Sequence, residues 1–480
     1  MKRILLRSAK NPFLALSPEA SLARNVFASN SGNMLFAEAV HKVVSVPNTE
    51  VVSSGFVTDR VDLQHETIGR INEEFDAFLI PLANAFRPSF SNKLRRLTRL
   101  IRQLQMPVVV IGVGAQAGPR AVELPESLQG TAKDFLSAVL DKSAKVGVRG
   151  EITRRCLAAL GFGDEHIEVI GCPSLYSSGR DLAVHKSDHG LTRESRIAAN
   201  LTLSQVNAAK IMRQAAERYP ELIYVPQTIN ELRMLLWAVP LPQPLDDHMP
   251  ARLDDPLYRQ DRIRFFLDPL VWHRFLADRD FAFGTRIHGN IAALAVGTPA
   301  YLLAFDSRTT ELADYHAIPY VSAARIAPDT EVAELYDRAD FTAFNQRQPE
   351  VFDHYLGFLE KNGLAHIHQP GNENPEFDRR LAEVNFPAGV RSLYAGGAES
   401  TAMVLDRLRW LYQGERTDRE RTEAAYEPRL FVPGPDSVVE QAPAEPSARA
   451  PKRRPMQRRL NRRVRRIRRR VMRRLRALRG

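Results

Sequence analysis

An α/β fold in two halves is what this sequence predicts, on two observations. Short apolar, β-branched runs alternate with segments of helical period along most of the chain, and the alternation occurs twice, on either side of a polar stretch at residues 177–195. Such alternation builds mainly parallel sheets with helices on their faces, whose strand C-termini line a ligand crevice. The expected organisation is an N-terminal α/β domain over 1–180, a linker at 181–195 and a C-terminal α/β domain over 196–385, facing each other across a cleft. A helical segment at 386–426, a disordered tether at 427–450 and an Arg-rich amphipathic helix at 451–480 follow.

In the first half, Asn30, Gly32 and Asn33 form a polar turn leading into a helix marked by Leu35, Ala39 and Val43. DAFLIPLAN (76–84) reads as a buried strand, NKLRRLTRLIRQL as a basic helix, and VVVI (108–111) as a strand in the middle of a parallel sheet. Gly112 and Gly114 follow it, either to turn the chain tightly or to bring the backbone up to a ligand. Strands at 145–148 and 167–170 flank a helix at 151–160. Arg149 ends the first of them, placed either to line the crevice or to pair with Glu151 on the surface.

The second half opens with the strand RIAANLTL, the helix VNAAKIMRQAAERY, the strand ELIYVPQT and the helix INELRMLLWAV. Residues 240–260, rich in Pro and Asp, read as an insertion or acceptor-side loop. The segment 281–308, FAFGTRIHGNIAALAVGTPAYLLAFDSR, is a strand, an abrupt polar turn, a short apolar helix stopped by Gly297 and Pro299, and a second strand. Arg286 and His288 lie where the first strand feeds the helix, whose free backbone N–H groups favour an anion. The turn reads as an anion site with a proton donor beside it.

Composition excludes several classes. A 480-residue chain that is 44% hydrophobic can bury substantial cores. Its net charge of +11 is misleading: residues 451–480 hold fifteen Arg, one Lys and no acid. Without those sixteen cations, 51 basic residues face 56 acidic ones, so the body is mildly acidic. Cys156 and Cys172 form no metal or disulfide pattern, which fits a reducing cytoplasmic setting. Arg7 and Lys10 interrupt the N-terminal apolar run, which argues against a signal peptide, and 291–305 is too short to span a bilayer.

The set NSGN (30–33), IGVGAQ (111–116), VGVRGEITRRCLAALGF (146–162), VIGCPSLY (169–176) and FGTRIHGNIAALAVGTPAYLLAFDSR (283–308) resembles the polysaccharide pyruvyl transferase family. The resemblance spans about 25–321, and its most specific part is the Arg-x-His turn, the small-residue helix, Gly-x-Pro and a strand ending in Asp. It implies two Rossmann-like domains similar to B-type glycosyltransferases. The activity it implies is transfer of a pyruvyl group from phosphoenolpyruvate to saccharide hydroxyls as a ketal. Two positions depart from the pattern: Asn33 stands where many members have Asp, and Gly289-Asn290 replaces two small apolar residues.

Carried over, Arg286 and Arg149 grip the donor's phosphate and carboxylate, which suit the planar guanidinium fork. His288 becomes the general acid, with a proton affinity that two neighbouring anions would raise, instead of a histidine that merely holds the turn. Asp306 would orient His288 or act as base toward the acceptor, and Arg308 would add a phosphate contact; the alternative for both is a strand-end salt bridge. Asn30, Gly32, Asn33, Gly114 and Gln116, in the resembling motifs, join the substrate-binding set. Gln227 and Asn200, at strand ends of the second half, are acceptor candidates.

No metal or resident cofactor is expected; phosphoenolpyruvate is a substrate, and the acceptor a free or lipid-linked saccharide. The Arg-rich helix places Leu460, Val464, Ile467, Val471, Leu475 and Leu478 on one stripe. An anionic membrane surface, at the inner face of the plasma membrane, suits it better than nucleic acid, because the tail has no aromatic residue to stack on bases. The competing readings are a glycosyltransferase with a nucleotide-sugar donor and a non-catalytic nucleic-acid or scaffold-binding protein.

Overall fold

The computed structural model describes residues 1–116, 122–239, 241, 247–395, 401–405 and 407–408. Most of the helix expected at 401–413, the tether and the Arg-rich helix lie outside the described residues.

The first half contains β1 (Lys2–Leu6), β2 (Thr49–Ser53), β3 (Ala77–Pro81) and β4 (Val108–Ile111), in the parallel order β2-β1-β3-β4. A parallel bridge from Val113 to Val148 continues this sheet into the parallel pair β5 (Val146–Val148) and β6 (Ile167–Val169). The second half contains β7 (Ile197–Asn200), β8 (Ile223–Tyr224), β9 (Phe281–Gly284), β10 (Ala300–Ala304) and β11 (Tyr320–Ser322), ordered β8-β7-β9-β10-β11. Both sheets are parallel throughout, and both follow one winding rule, in which the first strand sits between the second and the third. In such sheets the crevice opens where the winding reverses, between β1 and β3 and between β7 and β9.

Every residue of β3, β4, β9 and β10 is buried, as expected of strands covered on both faces. At the end of β9, Gly284 has φ +147° and lies against Asn200 of β7; a Cβ there would penetrate the Asn200 carbonyl oxygen. Only glycine lets these strands meet at the reversal.

Three sequence expectations are corrected. β1, central in the first sheet, was passed over because Lys2 and Arg3 obscure its apolar run; Ile4, Leu5 and Leu6 are buried. Of the expected insertion or acceptor-side loop at 240–260, the described residues include the short helix Pro256–Arg259, and Met249, Leu257 and Tyr258 are buried in the second core. The 20-residue helix Thr342–Lys361 falls within the stretch assigned to the second half, yet Val351, Phe352, Tyr355, Phe358 and Leu359 pack with Ile4, Leu6, Leu79 and Val109 of the first sheet. Chain order therefore does not decide which core this helix joins. Residues 177–195 carry neither helix nor strand.

Candidate active site

A single cleft, with a cavity volume of about 310 Å³, collects residues from both reversal points. Arg7 follows β1, the 82–87 loop follows β3, Thr202 follows β7, and Thr285 and Arg286 follow β9. Six cations line it, Arg7, Arg87, Lys93, Arg149, Arg286 and Arg308, and no carboxylate is among the described lining residues. Some of that charge is already matched. Asp59 takes the Arg7 fork at 3.1 and 2.8 Å and lies 3.8 Å from Lys93, while Asp306 takes Arg308.

Arg286 is the N-cap of the helix Ile287–Leu294. Its backbone N–H donates to Asn200 Oδ1 at 2.9 Å and its Nε to the Leu201 carbonyl at 2.9 Å, which leaves the rest of the guanidinium for the cleft. Asn290, the departure from the family pattern, is fully buried, and its Nδ2 donates to the carbonyls of Arg286 (2.9 Å) and Gly284 (3.1 Å). It braces the turn from beneath and adds no polarity to the anion site.

His288 sits in the first turn of this helix, edge-on to Phe36 at 6.5 Å and flat against Gly32, where a Cβ would come within 2.6 Å of the His288 Cβ. Gly32 therefore makes room for the histidine; its place in the site is steric. His288 Nε2 is buried without a hydrogen-bond partner. Burial first, then Arg149 and Arg308, push its proton affinity down to about 3, so the free protein holds a neutral imidazole. This reverses the expected sign, because the arginines that would hold the anions are already present when the anions are not.

Asp306 does not orient His288. Its Oδ1 accepts from the Thr309 N–H at 3.1 Å, capping the helix Ser307–His316, and its Oδ2 accepts from Arg308 Nε at 2.7 Å. The strand-end salt bridge is what this aspartate forms.

Arg149, only 3% exposed, points into the cleft from the end of β5. The surface pairing with Glu151 does not occur, since Arg154 takes that carboxylate at 2.6 and 2.8 Å. The nearest acid to Arg149 is Glu311, 4.0 Å away, whose carboxylate accepts from the Thr153 N–H at 2.9 Å and its hydroxyl at 3.0 Å. Burial pushes the Glu311 carboxyl up to about 7 against the pull of Arg149. Arg149 Nε has no hydrogen-bond partner. Gly114 serves this arginine and not a ligand: a Cβ there would stand 2.6 Å from the Arg149 Cζ and closer still to Nε and Cδ.

Asn30 and Asn33 line the cleft, though Asn30 Oδ1 already accepts from the Gly32 N–H (2.9 Å) and Asn33 Nδ2 donates to the Phe27 carbonyl (3.0 Å). Gln227 lines it too, 1% exposed and with its Nε2 unpartnered; Asn200 lies behind the turn it braces. Gln116 is exposed and outside the lining, 3.4 Å from Asn84. Arg7, Arg87 and Lys93 were missed. The strand-end rule that selected Arg149 also reaches Arg87, six residues beyond β3, and would have reached Arg7 had β1 been read as a strand.

Fold and site together define an α/β protein with parallel sheets and a cation-lined cleft between its halves. Residues 83–307 match the family model of the polysaccharide pyruvyl transferases, a family of transferases. The matched stretch contains Arg87, Arg149, Arg286, His288 and Asp306. No curated protein matches the chain. Among solved structures, the chain is similar to the MnaA–UDP co-structure from S. aureus (14% identity, 75% of this chain and 98% of that one, TM-score 0.36). It is also similar to UDP-GlcNAc 2-epimerase from Methanocaldococcus jannaschii with UDP-GlcNAc and UDP (11% identity, 74% and 100%, TM-score 0.37). A third is the glycotransferase of kitacinnamycin (12% identity, 79% and 99%, TM-score 0.32). No helix among the described residues is long and apolar enough to cross a membrane.

Proposed function

We propose that this chain transfers the pyruvyl group of phosphoenolpyruvate to two hydroxyls of a saccharide, forming a cyclic ketal and releasing phosphate. The observation that carries the reading is the joining of Arg149, Arg286 and His288, from opposite halves, around one cleft whose described lining has no carboxylate. Phosphoenolpyruvate brings a phosphate and a carboxylate on a three-carbon frame, and two guanidinium forks set apart can hold both. In this reading the 196–385 half is the donor side and the 1–180 half the acceptor side.

His288 gives its proton to the vinyl carbon of the bound donor, and the neighbouring carbon becomes oxocarbenium-like. One sugar hydroxyl adds there and gives its proton to the imidazole that has just lost one. A second hydroxyl displaces phosphate, which takes that hydroxyl's proton as it leaves, and the ketal closes. Burial, and after it Arg149 and Arg308, keep the imidazole of the free site neutral; the donor's anions would favour its protonated form, and so the acid, where substrate is bound. Asp306, held by its cap and by Arg308, supports the cation and is not the base.

The reading places the enzyme in cell-surface polysaccharide synthesis on the cytoplasmic side. Residues 451–480, with sixteen cations and no acid, would dock it on anionic lipid at about 1 kcal/mol per basic residue near the surface. Vesicle flotation with and without these residues tests that placement.

The direct test of activity is phosphate release from phosphoenolpyruvate over a panel of free and lipid-linked saccharides. Release that depends on both donor and acceptor supports the reading. Stabilisation by nucleotide sugars with none by phosphoenolpyruvate would overturn it in favour of a glycosyltransferase.

A further inference from the structure

The donor accounts for two of the six cations, and internal carboxylates occupy three others: Asp59 serves Arg7 and Lys93, and Asp306 serves Arg308. Arg87 is left over. It forms no ion pair with any described residue, its Nε is buried without a partner, and its guanidinium carbon lies 5.9 Å from the Phe90 ring centre. On the same loop after β3, Asn84 Oδ1 is also buried without a partner, and both residues line the cleft. A buried cationic donor and a buried neutral acceptor on one short loop form a polar ledge that is incomplete without a ligand.

Burial first, and then Arg308, lower the proton affinity of Arg87. Arg87 and Asn84 line the cleft together with Asn30 and Asn33, all from the first half. The side-chain amides among them suit sugar hydroxyls. Arg87, with no ion-pair partner among the described residues and no acid in the described lining, leaves an anion as the group that would match it.

We propose that Arg87, with Asn84, forms an acceptor subsite for an anionic group carried by the saccharide itself, a sugar phosphate or a uronate carboxylate, so that the acceptor is an anionic sugar and not a neutral one. The proposal deepens the pyruvyl-transfer reading and rests on it for the word acceptor, while the subsite can be read by binding alone.

The test is thermal stabilisation of the full chain and its Arg87→Gln variant at matched ionic strength. The probes are phosphoenolpyruvate, glucose 1-phosphate, methyl glucuronide and neutral methyl glucoside. Phosphoenolpyruvate should stabilise both proteins alike. Glucose 1-phosphate or methyl glucuronide should stabilise the wild type and bind the variant about tenfold more weakly or worse, the cost of one charged contact; whichever probe acts identifies the anion. Arg87→Lys should recover part of that loss, and methyl glucoside should stabilise neither protein. Loss of the phosphoenolpyruvate effect in Arg87→Gln would put Arg87 in the donor subsite and overturn the proposal. So would anionic sugars that act no better than methyl glucoside, or that act equally on both proteins. A wild type indifferent to phosphoenolpyruvate but stabilised by anionic sugars through Arg87 would fail the transfer reading and leave the subsite standing.

Discussion

Gly114 and Arg149 are sterically linked: the arginine side chain occupies the space that any Cβ at position 114 would need, with its Cζ 2.6 Å from where that atom would be. A methyl at 114 must displace a buried guanidinium that lines the cleft. Gly114→Ala should cost about 1–3 kcal/mol of stability through overpacking. It should also weaken phosphoenolpyruvate binding about tenfold or more, as one charged contact is lost. Calorimetric titration checks this; unchanged affinity in a folded variant would mean that Arg149 does not hold the donor.

His288 links binding to protons. Its proton affinity in the free protein, about 3, lies below the ordinary 6.5, so folding favours the neutral ring. That contribution is complete above pH 6.5 and is lost as the pH falls toward 3. His288→Gln should therefore gain stability relative to wild type as the pH is lowered through this window, read from paired melts. Bound anions favour the protonated ring, so phosphoenolpyruvate binding near pH 6 should take up more proton in the wild type than in the variant. Titration in two buffers of different ionisation heat measures that uptake.

Glu311 joins the halves by accepting from Thr153 of the helix Glu151–Ala158 while lying 4.0 Å from Arg149. Glu311→Ala leaves the Thr153 donors without their acceptor and removes the carboxylate nearest Arg149, an expected loss of about 1–3 kcal/mol. Glu311→Gln keeps an oxygen for Thr153 and should lose less. The carboxyl, raised to about 7 from 4.5, favours the folded state most below pH 4.5 and loses that contribution as the pH rises through 7. The penalty of Glu311→Gln relative to wild type should therefore be smaller at pH 8 than at pH 5, as denaturant titrations at the two values would show.

Asn290 braces the Arg-x-His turn through the Gly284 and Arg286 carbonyls. Asn290→Ala should destabilise the protein by about 1–3 kcal/mol, with buried carbonyls left underserved. Activity should fall with it, because Arg286 and His288 stand on that turn. Chemical denaturation beside phosphate-release rates checks both. A stable variant with unchanged turnover would show the brace to be dispensable.

The alternation of β-branched runs with helical periods was legible because local propensity and burial agree in β3, β4, β9 and β10, which are buried along their whole length. β1 was not legible. Its two leading basic residues mask a three-residue apolar core, and its place between β2 and β3 depends on partners 47 and 73 residues away. The helix Thr342–Lys361 was likewise beyond reach, because which sheet it covers is a matter of distant packing.

The 281–308 stretch shows the division most clearly. By itself the sequence determined that a cation and an imidazole stand at a strand-to-helix turn, since strand ends, glycine stops and helix starts are written in adjacent residues. Only the tertiary structure decided what surrounds them. It brought Arg149 and Arg87 from the other half, bound Asp306 to Arg308 and away from His288, and set Gly32 against the imidazole ring. Proton affinity is a sum over such neighbours and over burial, and neither is a local property of the chain. The residues of the turn were therefore readable in order, while the sign of the shift at His288 was not.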